Sequence, residues 1–181
     1  MGVLSDEELV DRYRALGDTR REEFLDQLFE RHRTRVAAWC YRMTGDLDAA
    51  TDLAQDVFLK AFEHLSSFRR ESSLKTWLYR IAINHCINHV KKHSQEFVEV
   101  TEYTGSIRPS VHAQMEHEEQ RDQFRRMIKH LPPKQKAILE LRINEQLSYE
   151  EIAKISGRTV STIKASVFFA LGKLRKLAKH V

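Results

Sequence analysis

Along almost the whole chain, apolar side chains recur at intervals of three and four residues rather than two. That spacing builds one continuous stripe on a helix and leaves a strand without a buried face, so it restricts the fold to an all-α class. Only six glycines and three prolines interrupt 181 residues, and they fall where helices should stop. "SDEE" at 5–8 is a capping box, Ser5 with Glu8, opening a helix that Gly17 closes. A longer helix runs from Arg21 to Met43, with Phe24, Leu25, Leu28, Phe29, Val36, Trp39 and Cys40 on one side and Gly45 after its end. Asp46 or Asp48 caps a third helix, whose apolar side is Ala50, Leu53, Ala54, Val57, Phe58, Ala61 and Leu65, with Asp52, Gln55, Asp56 and Lys60 opposite. After the loop "SSFRRESS", a fourth helix turns Leu74, Trp77, Leu78, Ile81 and Ala82 inward. The expectation is a bundle of about four helices over residues 1–93.

Residues 94–114 lose the helical period, turn acidic and carry Gly-Ser and a proline, which predicts a flexible linker. "FVEV" within it has strand character but no partner segment. A second helical cluster spans 115–181. One helix runs from about Met115 to Leu131, Pro132 and Pro133 restart the chain into "KQKAILELRIN", and the end follows a tighter pattern. There a capping box (Ser148, Glu151), a short helix with Ile152, Ala153 and Ile155, a turn at Gly157 and a long helix from Val160 give helix-turn-helix spacing. Any αα-hairpin shares these signals. The small Ala153 and the basic tail favour DNA binding.

Charge is distributed unevenly. Residues 1–93 hold 15 Lys and Arg against 15 Asp and Glu, 94–114 hold 1 against 3, and 115–181 hold 14 against 8. Between 66 and 93 six basic side chains face Glu71 alone. Two basic surfaces flanking an acidic connector suit a polyanion bound at two places, although a solvated basic face has the same composition. No signal pattern and no long apolar run appears, so neither export nor direct membrane insertion is expected, and the cytoplasm is the default location. Cys40 and Cys86 make no disulfide framework and are expected as reduced thiols.

In the fourth helix Arg80, Asn84, Asn88 and Lys91 fall on one side at steps of four, four and three. Amides can pair with base edges, cations hold phosphates, and the nearby Trp77 and Tyr79 could stack on unpaired bases or belong to the core. The same helix carries His85, His89 and His93, but no acid or second cysteine completes a metal site there. The acidic face with Asp52, Gln55 and Asp56 cannot meet phosphate, so it is either solvated surface or a dock for a basic protein. No phosphate loop, nucleophile motif or paired carboxylate points to catalysis, and no cofactor is expected.

Taken in order, "DLAQDVFLKAF", "FRRESSLKTWLYRIAIN" and "LSYEEIAKI" resemble the bacterial sigma factors of the extracytoplasmic-function group, over nearly the whole chain. The resemblance implies that residues 1–93 correspond to the second sigma domain, 115–181 to the fourth, and 94–114 to the linker between them. It implies that Asp52, Gln55, Asp56 and Phe58 contact the clamp coiled coil of core RNA polymerase, and that the C-terminal part meets the flap. It assigns the minus-ten element to Phe68, Arg69, Arg70, Ser72, Ser73, Lys75, Thr76, Trp77, Arg80, Asn84, Asn88, Lys91 and Lys92, with the loop from Arg69 to Thr76 receiving a flipped base. Extrusion of that base costs a few kcal/mol, which the pocket and phosphate contacts offset.

For the minus-thirty-five element the implied contacts are Arg158, Thr159, Ser161, Thr162, Lys164, Ser166, Phe168, Phe169, Lys173 and Arg175. Here the sequence departs from the family, which is often basic where this chain has Ser166, Phe169 and Leu171. Phe168 and Phe169 would meet thymine methyl groups, an inhibitor or the other domain. The resemblance also implies an anti-sigma factor as a partner, which could hold the protein at the membrane, and a monomer when unbound, with its DNA surfaces unmasked by core binding. Two rival readings of the sequence are a polymerase-independent helix-turn-helix regulator and a metal-dependent protein using the histidine stripe.

Overall fold

The computed structural model describes residues 4–15, 21–96, 123–124 and 126–179. Its helices are α1 (Asp6–Ala15), α2 (Arg21–Thr44), α3 (Leu47–His64), α4 (Leu74–Glu96), α5 (Pro133–Ile143), α6 (Tyr149–Ser156) and α7 (Val160–Ala178), with a 3-10 turn at Leu65–Ser67. The described residues contain no strand. Gly17, linker residues 97–114 with "FVEV", and the start of the helix expected from Met115 lie outside them.

Local chemistry sets the helix ends. Glu8 and Ser5 exchange hydrogen bonds as a capping box, at 2.7 and 3.2 Å. Asp46 rather than Asp48 caps α3, accepting from the Ala49 amide at 2.7 Å. Pro133 opens α5, where the missing N–H costs nothing. Two boundaries differ from expectation. α4 continues to Glu96, past the linker start placed at 94, because Ser94, Gln95 and Glu96 include no breaker. The helix expected to reach Leu131 stops at Lys129, where the His130 and Leu131 amides turn back to Met127 and Ile128.

α1 to α4 form the amino-terminal bundle. Trp39 of α2 meets Tyr79 of α4 edge to face, ring centroids 5.9 Å apart, and Phe29 meets Phe58 likewise at 4.8 Å. Cys40 and Cys86 face each other across α2 and α4, both buried, with sulfurs 3.5 Å apart. The Cys86 thiol donates to Cys40, which lowers the pKa of Cys40 and raises that of Cys86. α1 is tied down through Asp6, which accepts from Arg31 at 2.6 Å and meets His32 Nε2 at 2.7 Å.

The two halves do not stand apart as separate bundles. α6 packs on α4, and α5 packs on both α2 and α4, so buried residues of all these helices form one core. α4 is thus covered on two sides. That explains why Thr76, Tyr79 and Ile83 are buried along with the expected Leu74, Leu78 and Ala82. In the C-terminal half Ile163, Val167, Ala170 and Leu174 form the inward side of α7, as the wheel requires.

Candidate nucleic-acid interface

The row on α4 survives folding. Arg80, Asn84, Asn88, Lys91 and Lys92 are all exposed. Arg80 and Asn84 line an open depression of about 390 Å³ together with Trp77, Ile81, His85, His64 and Ser67. Sequence reasoning gives His64 and Ser67 no role and places His85 only in the histidine stripe. The end of α3 and the 3-10 turn after it bring the first two beside α4, and no periodic signal reports such a turn. Trp77 serves both readings: its ring leans on Phe68 at 5.2 Å while its rim lines the depression. Tyr79 cannot stack on a base here, because it is buried against Trp39 of α2.

The loop before α4 is largely engaged within the chain. Phe68 is buried. Arg69 is exposed. Arg70 takes a left-handed backbone, φ 58°, and its guanidinium donates to Asp11 and, at 3.2 Å, to the Glu7 carbonyl. Ser72 bonds the Ser73 carbonyl, and Ser73 accepts from the Thr76 amide at 3.2 Å, acting as the N-cap of α4. Thr76 is buried, and Lys75 donates to the Glu145 carbonyl at 2.9 Å. Phe68 and Thr76, both assigned to DNA, are therefore covered in this conformation, the first by the bundle core and the second by the packed C-terminal half.

On the histidine stripe, the His89 and His93 rings lie 4.3 Å apart. Partial burial, then the neighbouring His93, lower the His89 pKa. Among the described residues no three metal-ligating side chains converge.

On α3, Asp52, Gln55 and Asp56 form an exposed face. Phe58 does not join it. At 3 % exposure it packs on Phe29 and Phe62, so its assignment as a surface contact is corrected here: the apolar period places it on the core side. The exposed apolar residue of that face is the next one, Leu59, 61 % exposed.

In the C-terminal half, Ser148 and Glu151 close both bonds of the capping box, at 2.8 and 3.1 Å, and Gly157 ends α6 with φ 64°. Thr159 caps α7 through the Thr162 amide and bonds the Ser161 and Thr162 hydroxyls. Arg158, Ser161, Thr162, Lys164, Phe168, Phe169, Lys173 and Arg175 are exposed, and Ser166 is half-buried. Phe168 and Phe169 meet edge to face at 5.8 Å, and Lys164 lies 5.6 Å over the Tyr149 ring. This array of hydroxyls, cations and two aromatic rings on one outward helix has the chemistry to meet a major groove.

Residues 28–96 match the family model for sigma-70 region 2, and residues 121–174 that for sigma-70 region 4. The RNA polymerase sigma factor YlaC of Bacillus subtilis is 32 % identical over 162 residues, an alignment spanning 87 % of this chain and 93 % of that protein. The chain belongs to the extracytoplasmic-function (ECF) sigma factors. The ECF RNA polymerase sigma-E factor of Escherichia coli K12 resembles this sigma factor to the same degree, 32 % identity with 92 % and 91 % covered. Among solved structures, the sigma factor RpoE of Bartonella quintana in complex with the anti-sigma factor NepR aligns with a TM-score of 0.65 at 27 % identity, covering 85 % and 96 %. CnrH in complex with the cytosolic domain of CnrY shares the fold, TM-score 0.68 at 19 % identity, covering 97 % of each chain. The role of this sigma factor lies in transcription regulation, and it is not an enzyme. Among the described residues no helix is long and apolar enough to cross a membrane.

Proposed function

We propose that this sigma factor binds core RNA polymerase and directs it to promoters with minus-ten and minus-thirty-five elements, which it helps to open. The amino-terminal half, 1–93 with the remainder of α4, acts as the core-binding and minus-ten domain, and 115–181 as the minus-thirty-five domain. The observation that carries this reading is the exposed row Arg80, Asn84, Asn88 and Lys91, running beside an open depression edged by Trp77. A melted strand needs such equipment: a recess with a π-face and an amide for one extruded base, and cations along its backbone.

The acidic face of α3, with Asp52, Gln55, Asp56 and the exposed Leu59, is the proposed dock for the clamp coiled coil. Its charge excludes it from phosphate and suits a basic protein surface. On α7 and the two residues before it, Thr159, Ser161, Thr162, Lys164 and Ser166 face the major groove of the upstream element, Phe168 and Phe169 meet thymine methyl groups, and Arg158, Lys173 and Arg175 hold phosphates. An anti-sigma factor is proposed as a partner, since the Bartonella relative was solved with one.

The test is binding of reconstituted holoenzyme to a fork-junction DNA with an unpaired non-template strand. Retained core affinity with lost fork binding in Asn84→Ala supports the assignment. Equal fork binding by wild type and Asn84→Ala contradicts it.

A further inference from the structure

α1 grips both ends of the segment 65–70, which leads from α3 toward α4. The Arg14 guanidinium donates to the Phe68 carbonyl and, at 3.3 Å, to the Leu65 carbonyl. Arg70 reaches back the other way, donating to the Asp11 carboxylate and, at 3.2 Å, to the Glu7 carbonyl. The partners lie 51 to 63 positions apart in the chain. Sequence reasoning gives Glu7, Asp11 and Arg14 no role.

α1 is itself firmly seated. Its Leu9 and Val10 are fully buried, and Arg31 of α2 donates to Asp6 and to the Leu4 carbonyl, both at 2.6 Å. A loop bonded to such a helix borrows its rigidity. The Arg70 backbone shows that the grip is exacting: its φ of 58° is left-handed, uncommon for any residue but glycine, and such conformations persist only where the surroundings fix them.

What this grip positions is the recess beside α4. The Phe68 ring leans on Trp77 at 5.2 Å, and Trp77 edges the depression that Ser67, Arg80 and Asn84 also line. By holding the Phe68 carbonyl, Arg14 sets where that wall stands. A recess tells one base from another only if its walls keep their place to about 0.5 Å. A surface loop does not do so unaided.

We propose that Asp11, Arg14 and Arg70 are positioning residues, which brace the minus-ten loop from α1 and so set the base preference of the recess without touching DNA. This rests on the promoter reading above. Arg70, implied by the resemblance as a DNA contact, is engaged by α1 instead, and its exposed neighbour Arg69 is the arginine of the pair that meets the strand. Asp11 and Arg70 are both partly in solvent, so their ion pair adds little to stability. Its effect lies in where the loop stands.

The test uses holoenzyme reconstituted from core polymerase and the full chain, bound to fork-junction DNA whose unpaired non-template strand is randomised. Sequencing of the bound fraction reads base preference, and titration with salt reads phosphate contacts. Arg14→Gln, Arg69→Gln and Arg70→Gln each remove one positive charge, so charge alone cannot separate them. Arg69→Gln is expected to lower the salt slope by about one and to keep the base preference. Arg14→Gln and Arg70→Gln are expected to keep the slope and to lose about tenfold in preference at an unpaired position, the size of an ordinary single-base discrimination. The exchange Asp11→Arg/Arg70→Asp should restore preference, which general damage to the fold would not allow.

A lowered salt slope in Arg70→Gln makes Arg70 a phosphate contact and overturns the brace. Unchanged preference in Arg14→Gln and Arg70→Gln overturns it too, as does an exchange without recovery. Should Arg14→Gln fail to fold by circular dichroism, Arg70→Gln carries the comparison. Wild type separates the two failures. Wild-type holoenzyme that binds every unpaired sequence alike sinks the promoter reading and the brace with it, whereas a wild-type preference that the variants retain sinks the brace alone.

Discussion

Phe58 and Leu59 are neighbours in α3 that fall on different faces: Phe58 closes the bundle core against Phe29, and Leu59 stands in solvent on the side of Asp56. Their substitutions should therefore separate folding from docking. Phe58→Ala is expected to destabilise the chain by about 3 kcal/mol or more, as loss of a buried ring does, read by urea denaturation. Leu59→Arg is expected to leave the denaturation midpoint unchanged and to weaken core polymerase binding at least tenfold, an effect of about 1.4 kcal/mol. Unchanged core affinity in Leu59→Arg would remove α3 from the interface.

Gly157 ends α6 in the left-handed region, and a methyl group there would meet nothing within 4 Å. The only penalty of Gly157→Ala is conformational, about 1 kcal/mol. Chemical denaturation should show that loss. No loss would mean that the turn between α6 and α7 relaxes freely.

Asp6 links pH to the seat of α1. Burial alone would raise its pKa, but hydrogen bonds from His32 and Arg31 outweigh that and hold it below the ordinary 3.8. A depressed carboxylate contributes stability above its unfolded pKa and loses it as pH falls through the folded value. The stability difference between wild type and Asp6→Asn should therefore be about 1 kcal/mol at pH 5 and should shrink as the pH drops below 3.8. A difference that grows on acidification contradicts the pairing.

Cys40 and Cys86 have no exposed surface. Neither thiol should react with a bulky aromatic disulfide in the native chain, and both should react in denaturant. Fast reaction of either one without denaturant would show that α2 and α4 part readily.

Much of the fold was legible in sequence because it is local. Capping boxes at Ser5 and Ser148, the proline start of α5 and the stripe on α7 each depend on residues a few positions apart, and each appears as expected. The row from Arg80 to Lys91 was legible for the same reason. What escaped is long-range. Arg42 and Glu145 are 103 positions apart, Cys40 and Cys86 are 46 apart, and no periodicity announces such meetings. The buried state of Thr76 and Tyr79 follows from those contacts, since a wheel drawn for α4 alone allows for one packed side and the fold supplies two. His64, the last residue of α3, and Ser67 escaped because the end of α3 and the short 3-10 turn after it, not an apolar period, deliver them to the depression.

Promoter-directed initiation is tested most directly by transcription in vitro with purified core polymerase and fragmented genomic DNA from the source, mapping transcript starts with and without the chain. New starts that share two upstream elements and disappear with Asn84→Ala are expected. No new starts, while the chain still binds duplex DNA, would contradict it and leave a regulator that works without polymerase.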